Sequence, residues 1–161
     1  YTISVVKNAP SVTVWGCISA ESHGSLWFMA KNTTITSQVY LKLLQDKLPA
    51  VMATHGSEIF QHDGAPVHKT KVVTKWLHDA NIQVLIDWPG NSPDLNIIEN
   101  CCTILKEKVA QKQPSSYEEL KKVITEVWTS EITPDYCFAL ANSMPKRIAM
   151  VLKNKGYPCK Y

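Results

Sequence analysis

The chain has 161 residues, of which 45% are apolar and 19% are charged, and its net charge is +3. This composition is typical of a globular protein, and the length favours one domain with a substantial core. It argues against a membrane protein, because no apolar run approaches the roughly 18 residues of a spanning helix and no signal peptide is visible. Five cysteines without metal-ligand spacing indicate reduced thiols in a cytosolic or nuclear protein.

Positive charge is concentrated in the last third of the chain. Residues 1–100 carry seven Lys and Arg against eight Asp and Glu, whereas residues 101–161 carry ten against six. Such a basic region would neutralise nucleic-acid phosphates, although a solvated helical surface explains the same charges equally well. Arg147 is the only arginine, which argues against bidentate reading of bases and favours diffuse contacts by lysines.

The N-terminal part predicts short strands. Alternating apolar residues predict a strand over Thr2–Val6. Residues 12–18 and 25–30 are rich in β-branched and aromatic side chains, and a turn at 21–24 separates them. We therefore expect an antiparallel hairpin in this region.

The middle of the chain alternates helices and strands. A helix capped by Thr36 is expected to run to about Lys47, where Pro49 should break or kink it. A strand leads into Asp63, a helix follows from about Lys69 to Asp79, and residues 82–86 form the next strand. The order of elements predicts an α/β fold, a mixed sheet with helices on its faces.

The final third predicts helices only. They cover 95–111 and 117–130, the second with a capping box at Ser116 and Glu119. A third helix begins at Thr133-Pro134 and is expected to be interrupted at Pro145. Gly156 is expected to cap the last one.

Two acidic segments are the strongest functional signal. Asp63 follows a short apolar strand and precedes Gly and Pro, which places it at a cleft rather than in a core. Asp94 is a candidate helix N-cap, which would place Glu99 in the first two turns of that helix. Two carboxylates, one ending a strand and one opening a helix, suit a Mg²⁺ ion whose other ligands are waters and phosphates.

These segments read QHDGAPVH (61–68) and SPDLNIIENCC (92–102), and they resemble the catalytic core of Tc/mariner-type DDE transposases. That family carries its second catalytic Asp in a QxD motif and its last acidic residue in an SPDLNPIEN motif. Here Asp63 and Glu99 have about the family's spacing, while Ile97 replaces the proline and Cys101-Cys102 replace Leu-Trp. The similarity covers about Val12 to Tyr161, including SMPKRIAMVLKNKGYPCKY at the end.

The resemblance implies an RNase H-like fold with an N-terminal hairpin and a helical C-terminal third. It implies that Asp63 and Glu99 are catalytic residues and metal ligands, holding two Mg²⁺ or Mn²⁺ ions in the complete enzyme. The expected partners are transposon ends and target DNA, and a homodimer is left open. The expected location is the nucleus, and no association with a membrane is expected.

The family needs a third carboxylate, on a central strand before the hairpin. This chain has no Asp before Asp46, which its amphipathic helix places in solvent, and it begins at Tyr1 without Met. We therefore interpret residues 1–161 as a single, N-terminally truncated catalytic domain that is inactive alone. The first strand is expected to be absent or replaced, either by Thr2–Val6 or by a strand from a second molecule.

Several polar and aromatic residues flank the two acids and are candidates for contacting DNA, each with a structural alternative. For the lysines the alternative is a solvated helix face; for Trp88, packing beneath its loop; and for His62 and His68, hydrogen-bonded loop histidines. The candidate DNA-binding residues are His68, Lys69, Lys71, Lys75 and Trp88.

Two functions compete. The first is the catalytic-domain portion of an enzyme that cleaves DNA and transfers strands in cut-and-paste transposition. The alternative is an inactive or domesticated remnant that binds DNA or self-associates. A nuclease acting on RNA fits the motifs less well.

Overall fold

The computed structural model describes residues 2–3, 11–31, 33–57, 59–85, 88 and 92–157. The chain divides into two compact units, which are Tyr1–Thr33 with Pro93–Tyr161, and Thr34–Ser92. The elements in chain order are β1 (Thr2–Ile3), β2 (Val12–Trp15), β3 (Trp27–Phe28), α1 (Ser37–His55), β4 (Ile59–Phe60), α2 (Lys71–Asp79), β5 (Gln83–Val84), α3 (Ile98–Lys112), α4 (Tyr117–Glu131) and α5 (Pro134–Lys153). Among the helices described, none is long and apolar enough to cross a bilayer.

The first unit contains a three-stranded antiparallel sheet in the order β1-β2-β3. The predicted hairpin is confirmed, since Val14 pairs with Phe28 and Trp15 with Trp27. The strand predicted at Thr2–Val6 is confirmed for Thr2–Ile3, and residues 4–6 lie outside the described part. β1 pairs with β2 along the edge opposite β3; that Thr2–Val6 replaces the family's first strand stays a prediction.

The core of this unit is formed by β2, α3 and α4 together with the first half of α5. Its most buried side chains come from these elements and from the residue between α4 and α5. They are Val12, Cys101, Leu105, Val109, Leu120, Ile124, Val127, Trp128, Ile132 and Cys137. The Trp128 indole N–H donates to the Gly24 carbonyl oxygen at 2.8 Å, so this large ring joins α4 to the turn of the hairpin.

Side chains cap α4 and α5 at the predicted residues. The hydroxyl of Ser116 accepts a hydrogen bond from the Glu119 amide, and that of Thr133 accepts one from the Tyr136 amide. The return half of the capping box differs from the usual pattern. Glu119 Oε2 accepts from the amide and the hydroxyl of Ser115, at 2.7 and 2.6 Å.

The second unit contains α1 and α2 with the parallel pair β4–β5, in which Ile59 pairs with Gln83 and Phe60 with Val84. Thr36 caps α1 by accepting a hydrogen bond from the Val39 amide at 3.3 Å, as predicted. Each of the two helices buries its apolar face. The buried side chains are Tyr40, Leu43, Leu44, Leu48, Val73 and Leu77.

The interruption predicted at Pro145 is wrong, because α5 continues through it. At Pro49 the prediction left open a break or a kink, and α1 continues through this proline to His55 without a break. Both prolines face solvent, where the ring displaces no packed side chain and each removes only one amide donor. The C-cap of α5 is Asn154 rather than the predicted Gly156, which lies two residues beyond it with a left-handed φ of 86°. The Gly156 amide donates to the Val151 carbonyl oxygen at 2.9 Å, just beyond the end of α5.

Replacing Pro49 with Ala is expected to stabilise the protein by about 1–3 kcal/mol. The substitution restores an amide donor inside α1 and relieves the clash of the ring with the preceding turn. Urea-induced unfolding measures the change. Pro134→Ala is the matched control, because Pro134 lies in the first turn of α5, where a missing amide costs nothing; equal gains in both variants would contradict the explanation.

Candidate active site

Asp63 lies in the loop that follows β4, as the sequence predicted. Its Oδ1 accepts a hydrogen bond from the Ala65 amide at 3.0 Å, which is the geometry of an Asx turn. The side chain is 55% exposed. The loop therefore holds one carboxylate oxygen in place while the group remains accessible to a ligand.

His68 contacts the same carboxylate oxygen. Its Nδ1 lies 2.6 Å from Asp63 Oδ1, and only 17% of the side chain is exposed. The approach lacks the alignment of a hydrogen bond, and this buried nitrogen has no hydrogen-bond partner among the described residues. The contact is therefore a close approach of the ring nitrogen to the carboxylate oxygen rather than an aligned hydrogen bond. His68 thus lies beside Asp63 and restricts its rotation.

The rings of Tyr40, His62 and His68 form an aromatic cluster that packs against this loop, and the sequence did not predict it. The ring of Tyr40, on α1, stacks on His68 with centroids 4.0 Å apart, and His68 stacks on His62 at 5.1 Å. The Tyr40 hydroxyl lies 3.1 Å from His62 Nδ1. Burial, followed by the negative charge of Asp63, raises the pKa of Tyr40. No local pattern in the sequence relates Tyr40 to the histidines.

His62 is expected to make stability depend on pH. Burial, followed by the neighbouring His68, lowers the pKa of His62 from 6.5 to about 4. Between these values the unfolded chain binds more protons than the folded one, so stability is complete above pH 6.5 and declines as the pH falls towards 4. Urea midpoints measured from pH 7 to 4.5 should therefore fall less steeply in His62→Gln.

His78→Gln is the control for that measurement. The side chain of His78 is 89% exposed, so its replacement should leave the slope of the wild-type protein unchanged. Identical slopes in His62→Gln and the wild-type protein would contradict the burial of His62.

The other candidate DNA contacts of this unit lie at its surface. Lys69, Lys71 and Lys75 are exposed, and Trp88 is half-buried. Lys75 forms an ion pair with Asp79, four residues on in α2, at 2.6 Å. Because exposed pairs of this kind contribute only about 0–1 kcal/mol, a phosphate group can compete for this lysine. The proposed DNA contacts of His68, Lys69, Lys71, Lys75 and Trp88 stay predictions.

Glu99 belongs to the other unit and lies in the first turn of α3, as predicted. The prediction that Asp94 caps this helix is wrong, because α3 begins at Ile98 and its N-cap is Ile97. Residues 93–97 instead form turns, with the Glu99 amide donating to the Asn96 carbonyl oxygen at 3.0 Å. A carboxylate in a first helical turn is stabilised by the helix dipole.

Cys102 lies three residues beyond Glu99 on α3. Burial, followed by the negative charge of Glu99, raises the pKa of the Cys102 thiol to about 11. Burial also raises the pKa of Cys101, to about 12. A raised pKa keeps each thiol protonated at neutral pH, and both cysteines are free, as the prediction of reduced thiols requires.

The donor chemistry of both acids fits a hard divalent cation, which prefers carboxylate oxygens. Asp63 offers a half-exposed carboxylate, and Glu99 a partly exposed one at a helix start. Within the described ranges no group of three or more His, Cys, Asp or Glu side chains is arranged to hold a metal ion. Two protein carboxylates are nevertheless sufficient where substrate phosphates and waters supply the remaining ligands of Mg²⁺.

Comparison with known proteins agrees with this chemistry. The sequence profile of the DDE superfamily endonucleases matches residues 3–121, a range that includes Asp63 and Glu99. The Tcb1 and Tcb2 transposable element transposases of Caenorhabditis briggsae are 34% and 31% identical over the whole chain. The chain spans 59% of the length of each.

The fold also matches solved structures. The Mos1 transposase catalytic domain, in its structure with raltegravir and Mg, superposes with a TM-score of 0.86. The match covers 99% of this chain and 82% of that one at 19% identity, and it establishes an RNase H-like fold. The chain belongs to the DDE superfamily endonucleases, and within them it is a catalytic domain of the Tc/mariner type.

Proposed function

We propose that the chain is the catalytic portion of an enzyme that cleaves DNA and transfers strands in cut-and-paste transposition. The observation that carries the proposal is the profile match over residues 3–121, which contains both acidic motifs in order. Its relatives are named as transposases of transposable elements, and on that ground we propose transposon ends and target DNA as the partners and the nucleus as the location.

We propose that Asp63 and Glu99 together bind the divalent cations, as parts of one catalytic domain. Asp63 offers an exposed carboxylate held by the Ala65 amide and His68. Glu99 offers one in the first turn of α3. When bound, Mg²⁺ or Mn²⁺ activates the attacking oxygen and neutralises charge that develops on the phosphate. The two side chains contribute by orienting the cations against the scissile phosphate.

The exposed lysines at the start of α2 would track the DNA backbone without reading bases. Lys69 and Lys71 are exposed, and a lysine ammonium contacts phosphates as a point charge rather than in a fixed geometry. Each phosphate contact should contribute to the salt dependence of binding. Replacing both lysines with Gln should therefore weaken DNA binding similarly for all sequences.

The test is a cleavage assay with the natural full-length protein on duplex DNA that carries its own element's ends. Cleavage that requires Mg²⁺ or Mn²⁺ supports the proposal. Binding of the same DNA without cleavage under any divalent cation would contradict it and favour a non-catalytic DNA-binding module.

A further inference from the structure

Arg147 is the one charged side chain that is buried in the described part of the chain. It lies on α5 and is only 4% exposed. Burying a guanidinium is costly unless hydrogen bonds satisfy it. The position of its partners therefore indicates what this side chain does.

The guanidinium connects α5 to the segment before α3. Its Nη1 donates to the Asp94 carbonyl oxygen at 3.0 Å, across 53 residues of sequence. Its Nε donates to Ser143 Oγ at 2.8 Å. The Ser143 hydroxyl in turn donates to the Leu140 carbonyl oxygen at 2.6 Å. The guanidinium is thus bound to Ser143 of its own helix through Nε and to the backbone of Asp94 through Nη1.

The segment to which Arg147 is hydrogen-bonded, residues 93–97, leads directly to Glu99. Residues 93–97 form turns, and Ile97, the N-cap of α3, makes no side-chain cap hydrogen bond. A helix start that lacks its own cap depends on other groups to fix its backbone. Beyond Glu99, Cys101 of α3 and Cys137 of α5 are both fully buried in one core. Helix α5 therefore supports the chain on both sides of Glu99.

We propose that Arg147 is a positioning residue for the Glu99 carboxylate, acting through the backbone of the turn at 93–97. The proposal builds on the role given to Glu99 in the proposed function. Arg147 is too buried to contact DNA, so its effect should reach the reaction through Glu99 alone. Lysine should not replace it, because one ammonium cannot reproduce the two fixed N–H directions of the guanidinium.

The first experiment is hydrogen exchange, measured on the metal-free full-length protein. Arg147→Lys and Arg147→Met are expected to exchange the Glu99 and Asn100 amides about tenfold faster. These amides donate to the Asn96 and Ile97 carbonyl oxygens, so they report on the turn directly. Lys146→Gln is the matched control, since it removes a neighbouring exposed cation and should change nothing.

The second experiment is calorimetric titration with Mn²⁺. Loss of a group that orients a metal ligand typically weakens metal affinity by about 10–100-fold, and we expect a loss of that size in both Arg147 variants. Ser143→Ala keeps the bond to Asp94 and removes only the partner of Nε, so a smaller loss is expected. DNA binding at equal salt should be unchanged in all of them.

The outcomes are separable from those of the proposed function. If Arg147→Met does not fold, Arg147→Lys and Ser143→Ala decide the question in the same assays. Unchanged exchange at Glu99 and Asn100 in the folded Arg147 variants overturns the proposal, as does an equal loss of Mn²⁺ affinity in Lys146→Gln. If Glu99→Gln leaves cleavage intact, the proposed function fails, while hydrogen exchange still decides whether Arg147 fixes the turn.

Discussion

Asp63→Asn and Glu99→Gln are each expected to lower the rate of divalent-cation-dependent DNA cleavage by about a thousandfold or more. Each change replaces an anionic carboxylate with a neutral carboxamide of nearly the same shape. Removal of a group that acts directly on the reacting atoms has effects of this order. The measurement is single-turnover cleavage at saturating DNA, so that chemistry is separated from binding. If both acids hold the same cations, the double variant should be little slower than either single variant.

Two acids elsewhere provide matched controls. Asp46 is exposed on α1, and Glu107 is exposed two turns beyond Glu99 on α3. Asp46→Asn and Glu107→Gln change the charge equally and should retain wild-type rates. Cleavage that survives both Asp63→Asn and Glu99→Gln would rule out the proposed metal site.

Trp128→Ala is expected to destabilise the protein by about 3–5 kcal/mol, the usual cost of truncating a large buried aromatic side chain. The ring is only 3% exposed, and it packs edge-on against His23 of the hairpin turn at 5.5 Å. Its loss leaves a cavity and removes the donor to the Gly24 carbonyl oxygen. Chemical denaturation followed by circular dichroism measures the change in unfolding free energy.

Trp128→Phe separates the two contributions. Phenylalanine keeps most of the apolar contact but removes the indole N–H, so the loss should be about 1–3 kcal/mol, the cost of an unsatisfied buried carbonyl. Thr129→Ala, at an exposed neighbouring position of α4, should be nearly neutral. A Trp128→Ala variant as stable as Thr129→Ala would show that α4 does not depend on this contact.

Much of the local structure was predictable because it depends on residues close in sequence. The hairpin followed from β-branched and aromatic runs, and the caps at Thr36, Ser116 and Thr133 followed from residues within one helical turn. The effect of the two prolines was harder to predict for a related reason, and the interruption expected at Pro145 was wrong. Local rules give the cost of a proline in a helix, but whether the packed faces of α1 and α5 outweigh that cost depends on the rest of the fold.

The candidate site was predictable only in its acids. Asp63 and Glu99 were predicted from their places after a strand and at a helix start, and from the resemblance of the two segments to the acidic motifs of Tc/mariner-type transposases. The start of α3 was predicted wrongly. Asp94 has a side chain suited to an N-cap, but residues 93–97 form turns and the helix begins only at Ile98.

The groups that hold the acids in place were decided by tertiary structure. The Tyr40–His62 contact joins residues 22 positions apart, and the Arg147–Asp94 bond joins residues 53 positions apart. In each pair the partners lie on different elements, so no periodicity within one helix or strand relates them. Such contacts exist only because burial of the apolar faces of α1 and α5 carries a tyrosine ring and a guanidinium to the segments that bear the two carboxylates.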